Sequence, residues 1–252
     1  MRVIVLLLDN SFGPWRNIYL NGALKTWCVR DKFLIDFKTY RGNYPKYAHL
    51  NKLLNLIFVS SIGVKFWKFF PHKFPPLSLR CTELDDQIIV NVWEVWPNIT
   101  FKTFAALNYI EKNYDYDYII RANASCYINK KALASYLESN KDHLDYAGPV
   151  KSNFVAGWGI ILSRKAVRVL IEKTTKKELK LFDDDSIGKV LSFFGIPAKP
   201  TPYIEIRHFE QLSRLSKLEL VSTPFFRLKS SVNGKRIDDL LMQELHSISK
   251  VY

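Results

Sequence analysis

The sequence predicts an α/β fold, a single domain with a mixed central sheet flanked by helices. Three observations carry this. Met1-Arg-Val-Ile-Val-Leu-Leu-Leu8 is an apolar run of the length of a buried strand. Tyr118-Ile-Ile-Arg-Ala is a second run, entered from a Tyr/Asp/Asn-rich turn (Asn113 to Asp117) and followed after Asn129 by a helical pattern over Lys130 to Leu137. A chain of 252 residues, 48% hydrophobic and 24% charged, is long enough for one large core. The second run breaks at the polar tripeptide Asn123-Ala124-Ser125. A buried strand that stops this way sets those side chains at the carboxyl end of a sheet, where open α/β sheets bind ligands.

Taken in order, the first strand ends at Asp9-Asn10-Ser11, and Gly13-Pro14 turns the chain. Trp15, Ile18, Tyr19, Ala23 and Trp27 recur at helical spacing. Lys32 to Tyr40 alternates as a strand, and Gln87 to Val92 reads as another. Between them, residues 41–80 form an insertion. Its apolar and aromatic stretch with scattered Lys, Leu50 to Phe70, is either a helix touching a membrane surface or a glycan, or a segment packed on the core. Thr100 is placed to cap a helix running to about Lys112, and Ser163 to cap another. Lys102 lies near a helix start, where the dipole disfavours a cation, so it is expected to face donor phosphates or the neighbouring strand end. Gly157-Trp158-Gly159 lets backbone approach a ligand closely, with Trp158 either a flat face for a sugar or a core residue at a bulge. Asp183-Asp184-Asp185 precedes a helix over Ser186 to Phe194, Tyr203 to His208 reads as a strand, and Ile237 to Ile248 as the last helix.

The formal charge of +13 asks for a polyanionic partner or an anionic surface. Nucleic acid is disfavoured, because the cations are spread along the chain and no nucleic-acid motif occurs. The odd number of cysteines, Cys28, Cys81 and Cys126, lacks metal-ligand spacing and suggests reduced thiols in a cytoplasmic compartment. The Met1–Leu8 run is too short to span a membrane and has no signal-peptide cleavage pattern. A soluble, cytoplasmic protein is the expectation, in the host cytoplasm if the source is a virus.

Four segments then fall into a recognisable order: Glu94-Val-Trp-Pro-Asn-Ile-Thr-Phe-Lys-Thr103, Tyr118 to Asn129, Phe154-Val-Ala-Gly-Trp-Gly-Ile-Ile-Leu-Ser163, and Leu181-Phe-Asp-Asp-Asp-Ser-Ile-Gly188. Order and spacing resemble the fringe and β1,3-galactosyltransferase family of GT-A glycosyltransferases, in a soluble viral or bacterial form. Trp96, Asn98, Thr100 and Lys102 match its Y-x-N-L-T-x-K-T. Its metal-binding D-x-D is degenerated here to Asn123-Ala124-Ser125. The resemblance covers about residues 1 to 210 and implies a Rossmann-like GT-A domain there, with 211–252 a C-terminal extension packing on it.

What the resemblance implies is transfer of a sugar from a nucleotide-sugar donor, UDP-linked by expectation, to a hydroxyl of a glycan or glycoprotein acceptor with inversion. Asp184, or its neighbour Asp183, falls on the base. Donor contacts are expected from Asp9, Asn10, Arg16, Lys102, Arg121, Asn123, Ser125, Gly157, Trp158, Arg227 and Lys229, the last two as a flexible lid. A divalent ion, Mn²⁺ or Mg²⁺, would be held by Asn123, Ser125 and His208. With the carboxylates of D-x-D missing, three outcomes stay open: a weakly held metal, basic side chains in its place, or a sugar- or nucleotide-binding module without catalysis.

Overall fold

The computed structural model of the protein describes residues 1–9, 13–29, 35–43, 80–94, 98–151 and 154–250. Apart from 41–43 and 80, the insertion expected over 41–80 lies outside the described residues, as do Asn10 and Trp96. The strands are β1 (Val3–Leu8), β2 (Ile35–Asn43), β3 (Cys81–Leu84), β4 (Gln87–Trp93), β5 (Tyr118–Asn123), β6 (Cys126–Ile128), β7 (Tyr146–Gly148), β8 (Val150–Lys151), β9 (Phe154–Val155), β10 (Gly159–Ser163), β11 (Lys199–Pro200), β12 (Tyr203–Ile206), β13 (Phe225–Leu228), β14 (Ser231–Val232) and β15 (Lys235–Arg236).

Eight of them form one mixed sheet in the order β11-β7-β10-β5-β1-β2-β4-β3. β1 is flanked by β2 and β5, both parallel to it, and β2 is parallel to β4. β10 runs antiparallel to β5. The strand order reverses at β1, so the carboxyl ends of β1 and β5 frame the point where such sheets open a crevice. Leu8 pairs with Asn123, which sets the polar tripeptide at that edge, as the sequence predicts.

Strand alternation splits the core in two. Val3, Val5, Leu7, Tyr118, Ile120 and Ala122 face one side. Ile4, Leu6 and Ile119 face the other, toward the helices Ile99–Asn113, Arg164–Lys173 and Asp183–Phe193. The first side is covered by helix Asp238–Lys250, a π-helical segment Ile18–Ala23 and a small sheet, β12-β13-β6. Residues 211–250 are thus woven in: β13 is the middle strand of the small sheet, and Gln243 Nε2 donates to the carbonyl of Asn21 at 2.8 Å.

Several elements differ from their sequence-based outlines. The stretch Trp15 to Trp27 divides into a short helix, Gly13–Asn17, and the π-helical segment. β3 was hidden because it is a four-residue edge strand, joined to β4 by Asp85-Asp86 with Asp85 at φ 53°. The central stretch ends at Asn123 in one sheet and resumes at Cys126 in the other. Ser163 caps its helix by accepting from Ala166 N at 3.2 Å. Thr100 does not cap: Asn98 holds that position, and Thr100 Oγ1 donates to Leu181 O at 2.5 Å. Arg227 lies in β13, and Lys229 follows the strand directly, its N donating to Ile206 O at 3.0 Å, so the backbone of both is anchored where a flexible lid was expected.

Cys28, Cys81 and Cys126 form no disulfide with one another. No helix among the described residues is long and apolar enough to cross a membrane.

Lys102 reaches the neighbouring strand end. Its ammonium pairs with Glu94, just past β4, and both side chains are buried. Glu94 also accepts from the amide of Gly42, which ties β2 to the same carboxylate. Replacing Lys102 by Met takes its ammonium away from this buried carboxylate. We expect a loss of about 3–5 kcal/mol, read in thermal or urea unfolding, with partial recovery in the double variant Lys102→Met, Glu94→Gln.

Candidate functional site

The carboxyl end of β5 carries two side chains into a tight polar ring. Arg121, 1% exposed, pairs through Nη2 with Asp183 Oδ2 at 2.6 Å. Its Nε donates to the Tyr40 hydroxyl at 3.1 Å. Tyr40 and Thr103 hydroxyls lie 2.9 Å apart, and Thr103 Oγ1 donates to Asp183 Oδ2 at 2.9 Å. With Thr103 giving its proton to the carboxylate, Tyr40 must give its own to Thr103. Burial pushes the Tyr40 hydroxyl up to about 12, so it keeps that proton. Burial opposes the Arg121 charge, but Asp183 and the other acidic groups around it push its pKa up instead. The third nitrogen, Nη1, donates to Asn123 Oδ1 at 2.7 Å.

Asp183 and Asp184 open helix Asp183–Phe193, and the structure gives them different environments. Asp183 is buried and taken up by Arg121 and Thr103. Asp184 is half-buried; its Oδ2 accepts from Gly157 N at 3.1 Å and its Oδ1 from Asp185 N at 3.0 Å. Burial first, then the adjacent Asp183, raise the Asp184 carboxyl above its ordinary value, against the pull of Arg121 and the two amides. Asp184 thus stands on the cleft lining as a carboxyl held above its ordinary pKa and fixed by two backbone amides. Gly157 lies close against both groups: a Cβ there would stand 3.0 Å from Arg121 Nη1 and 3.2 Å from Asp184 Oδ2. Gly188 lets the helix close on β9, since a Cβ there would meet Phe154 Cβ at 2.6 Å.

These groups open onto a cleft of about 480 Å³, within the range of small-molecule sites. Arg121, Asn123, Gly157, Trp158, Asp183, Asp184, Arg227 and Lys229 all line it. Sequence reasoning missed Ile99, Lys151, Phe154, Ala156, Phe182, Glu205 and Arg207, which also line it. The alternation of Tyr203, Glu205 and Arg207 along one strand face was the available signal for two of these. Lys151 and Phe154, in the β8–β9 hairpin, carried none. Arg207 Nη2 pairs with Glu205 Oε1 at 2.6 Å. Trp158 is 5% exposed, its ring set edge-on to Tyr203 at 5.2 Å and 6.0 Å from the Arg227 guanidinium. It serves as a packed platform for Arg227 more than as an open face.

Not every expected residue enters the cleft. Asp9 is fully buried past β1, accepting from Arg16 Nη1 and Gln87 Nε2, each at 3.1 Å, with its pKa raised by burial. This cluster sits at the same sheet edge, outside the cleft lining. Lys102 is committed to Glu94, and His208 is exposed at the start of the short helix Phe209–Leu212, its amide donating to Gln211 Oε1 at 3.0 Å. Ser125 is buried and accepts from Arg227 Nη1.

A divalent ion does not fit this donor set. Asn123 Oδ1 and Ser125 Oγ are neutral oxygens, and each already accepts from a guanidinium, where a dication would need carboxylates. His208 lies outside the cleft lining. Among the described residues no three His, Cys, Asp or Glu side chains converge as ligands.

No protein-family model matches the chain, and no curated protein matches it by sequence. Solved structures resemble it in chain path. An active-site mutant of LgtC superposes with a TM-score of 0.48 at 10% identity, covering 98% of this chain and 96% of that one. The galactosyltransferase LgtC in complex with donor and acceptor sugar analogues gives 0.46 at 12% identity, covering 98% and 96%. The glycosyltransferase GlyE of Streptococcus pneumoniae TIGR4 gives 0.42 at 14% identity, covering 99% of this chain and 63% of that one.

The asymmetry between the two aspartates is testable. In Asp183→Asn the Asp184 carboxyl loses a like charge and gains more of Arg121, so its pKa should fall, as read by carboxyl NMR titration. Arg121, left buried without its anion, should lower stability by about 3–5 kcal/mol.

Proposed function

We propose that the chain is a nucleotide-sugar glycosyltransferase that uses Asp184 as its general base. One observation carries this reading: a half-buried carboxylate with a raised pKa shares a cleft with five cationic side chains, Arg121, Lys151, Arg207, Arg227 and Lys229. The cleft opens where the strand order reverses, at the carboxyl end of β5, in a sheet whose motif order resembles that of the fringe and β1,3-galactosyltransferase family. The donor is a nucleoside diphosphate sugar, UDP-linked by that resemblance, and the acceptor a glycan hydroxyl.

In the proposed step the acceptor oxygen forms a bond to the anomeric carbon and gives its proton to an Asp184 oxygen. The bond from that carbon to the diphosphate breaks, and the electron pair leaves with the nucleoside diphosphate. A single carboxylate base and no covalent intermediate give inversion. Asp183 acts on position only, holding Arg121 and through it the end of β5. Gly157 N fixes one Asp184 oxygen, leaving the carboxylate a defined direction. Phe182, Phe154 and Ile99 supply apolar wall, which suits the faces of a sugar ring.

Release of nucleoside diphosphate from a panel of UDP- and GDP-sugars tests the reading directly. Asp184→Asn should lower kcat by about 10²–10⁴-fold and leave nucleotide affinity within a few-fold. The acid limb of kcat/KM should lie above the ordinary aspartate range, activity falling as pH drops through the raised Asp184 pKa and the base takes up its proton. Nucleotide binding without turnover for any donor would leave a binding module in place of an enzyme.

A further inference from the structure

We propose that a guanidinium, Arg227, takes the place of a divalent ion in this cleft and grips the diphosphate of the donor without metal. The inference rests on the nucleotide-sugar reading above and adds how the anion is held.

The donor set turns on two substitutions of charge. Where the related motif places carboxylates, Asn123 and Ser125 offer neutral oxygens, and each faces a positive group: Arg121 Nη1 at 2.7 Å from Asn123 Oδ1, and Arg227 Nη1 on Ser125 Oγ. An aspartate at position 125 would neutralise Arg227. The serine instead orients it and leaves its charge intact. The two arginines then differ. Arg121 is 1% exposed and already paired with Asp183, so its charge is spent within the protein. Arg227 makes no salt bridge among the described residues, although it is largely withdrawn from water between Ser125 and the Trp158 ring, 6.0 Å away. Burial first, with Arg236, holds its pKa below the ordinary value against the pull of Cys126, Asp238 and Glu205.

A desolvated cation that makes no ion pair among the described residues, with Asp238 and Glu205 acting on it only from a distance, is relieved when an anion arrives. Its planar fork matches two phosphate oxygens at once. Lys229 and Lys151, both exposed on the same cleft, supply further charge for a group of more than one negative unit. The rigidity of the arrangement also favours this role. Arg227 is held by pairing on both sides, opposite Glu205 on β12 and Cys126 on β6.

Calorimetric titration of the intact protein with UDP and with GDP, in EDTA and again with Mn²⁺, tests this. One of the nucleotides should bind with a Kd that differs less than about two-fold between the two conditions. Arg227→Gln should weaken it by about thirty-fold or more, the scale for truncating one side of a buried charge pair, and Arg227→Lys by less. Thermal melting of each variant separates loss of the clamp from loss of fold. Binding that falls more than tenfold in EDTA, binding unchanged in a folded Arg227→Gln, or no binding of either nucleotide overturns the proposal. The wild-type comparison needs no variant to fold. Metal-free, Arg227-dependent binding without sugar transfer would sink the transferase reading and keep the clamp. Transfer that requires Mn²⁺ would do the reverse.

Discussion

The Arg121 guanidinium is the constraint on which the cleft depends. It is almost wholly buried, so each of its three nitrogens needs an acceptor. It finds them in a closed circuit: Asp183 on one helix, Tyr40 on β2, and Asn123 on its own strand, with Thr103 of a second helix bridging Tyr40 to Asp183. Four elements far apart in the chain meet in one ring. Buried ionic networks contribute little net stability, because desolvation consumes most of the attraction. What this one does is fix geometry. Any shift of helix Asp183–Phe193 relative to β5 would leave a buried charge exposed to an apolar surround.

From that ring the division of labour between adjacent carboxylates follows. One turn of helix places Asp183 inward, against a cation, and Asp184 toward the cleft, against two amides. Inward, the charge is compensated; outward, it is only partly so, and burial lifts its pKa. The same residue type is thereby given two chemistries by position alone. The glycine at 157 belongs to this arrangement, because its missing side chain leaves room for both Arg121 and Asp184.

The far wall comes from the end of the chain. β13 enters between β12 and β6, and its pairing brings Arg227 beside Ser125, a residue 102 positions earlier. The result is a cleft with cations on elements from both sheets and acidic groups on one helix and β12. The basic net charge of the chain is therefore not uniform decoration: part of it is concentrated on the cleft lining.

By itself the sequence determined the α/β class and the strand edge at Asn123-Ala124-Ser125, because apolar runs and polar breaks are local signals that folding preserves. It also named Arg121, Arg227 and Lys229 as cleft candidates. Only the tertiary structure decided what each one does. Lys102 and Glu94 are neighbours only once a helix packs on β4, and Arg121 is neutralised only once helix Asp183–Phe193 closes on β5. Glu205, Arg207 and Lys151 enter the cleft through pairings between distant strands and a two-strand hairpin that no short-range pattern announces. Charge in a protein acts through distance and desolvation, and both are properties of the folded chain.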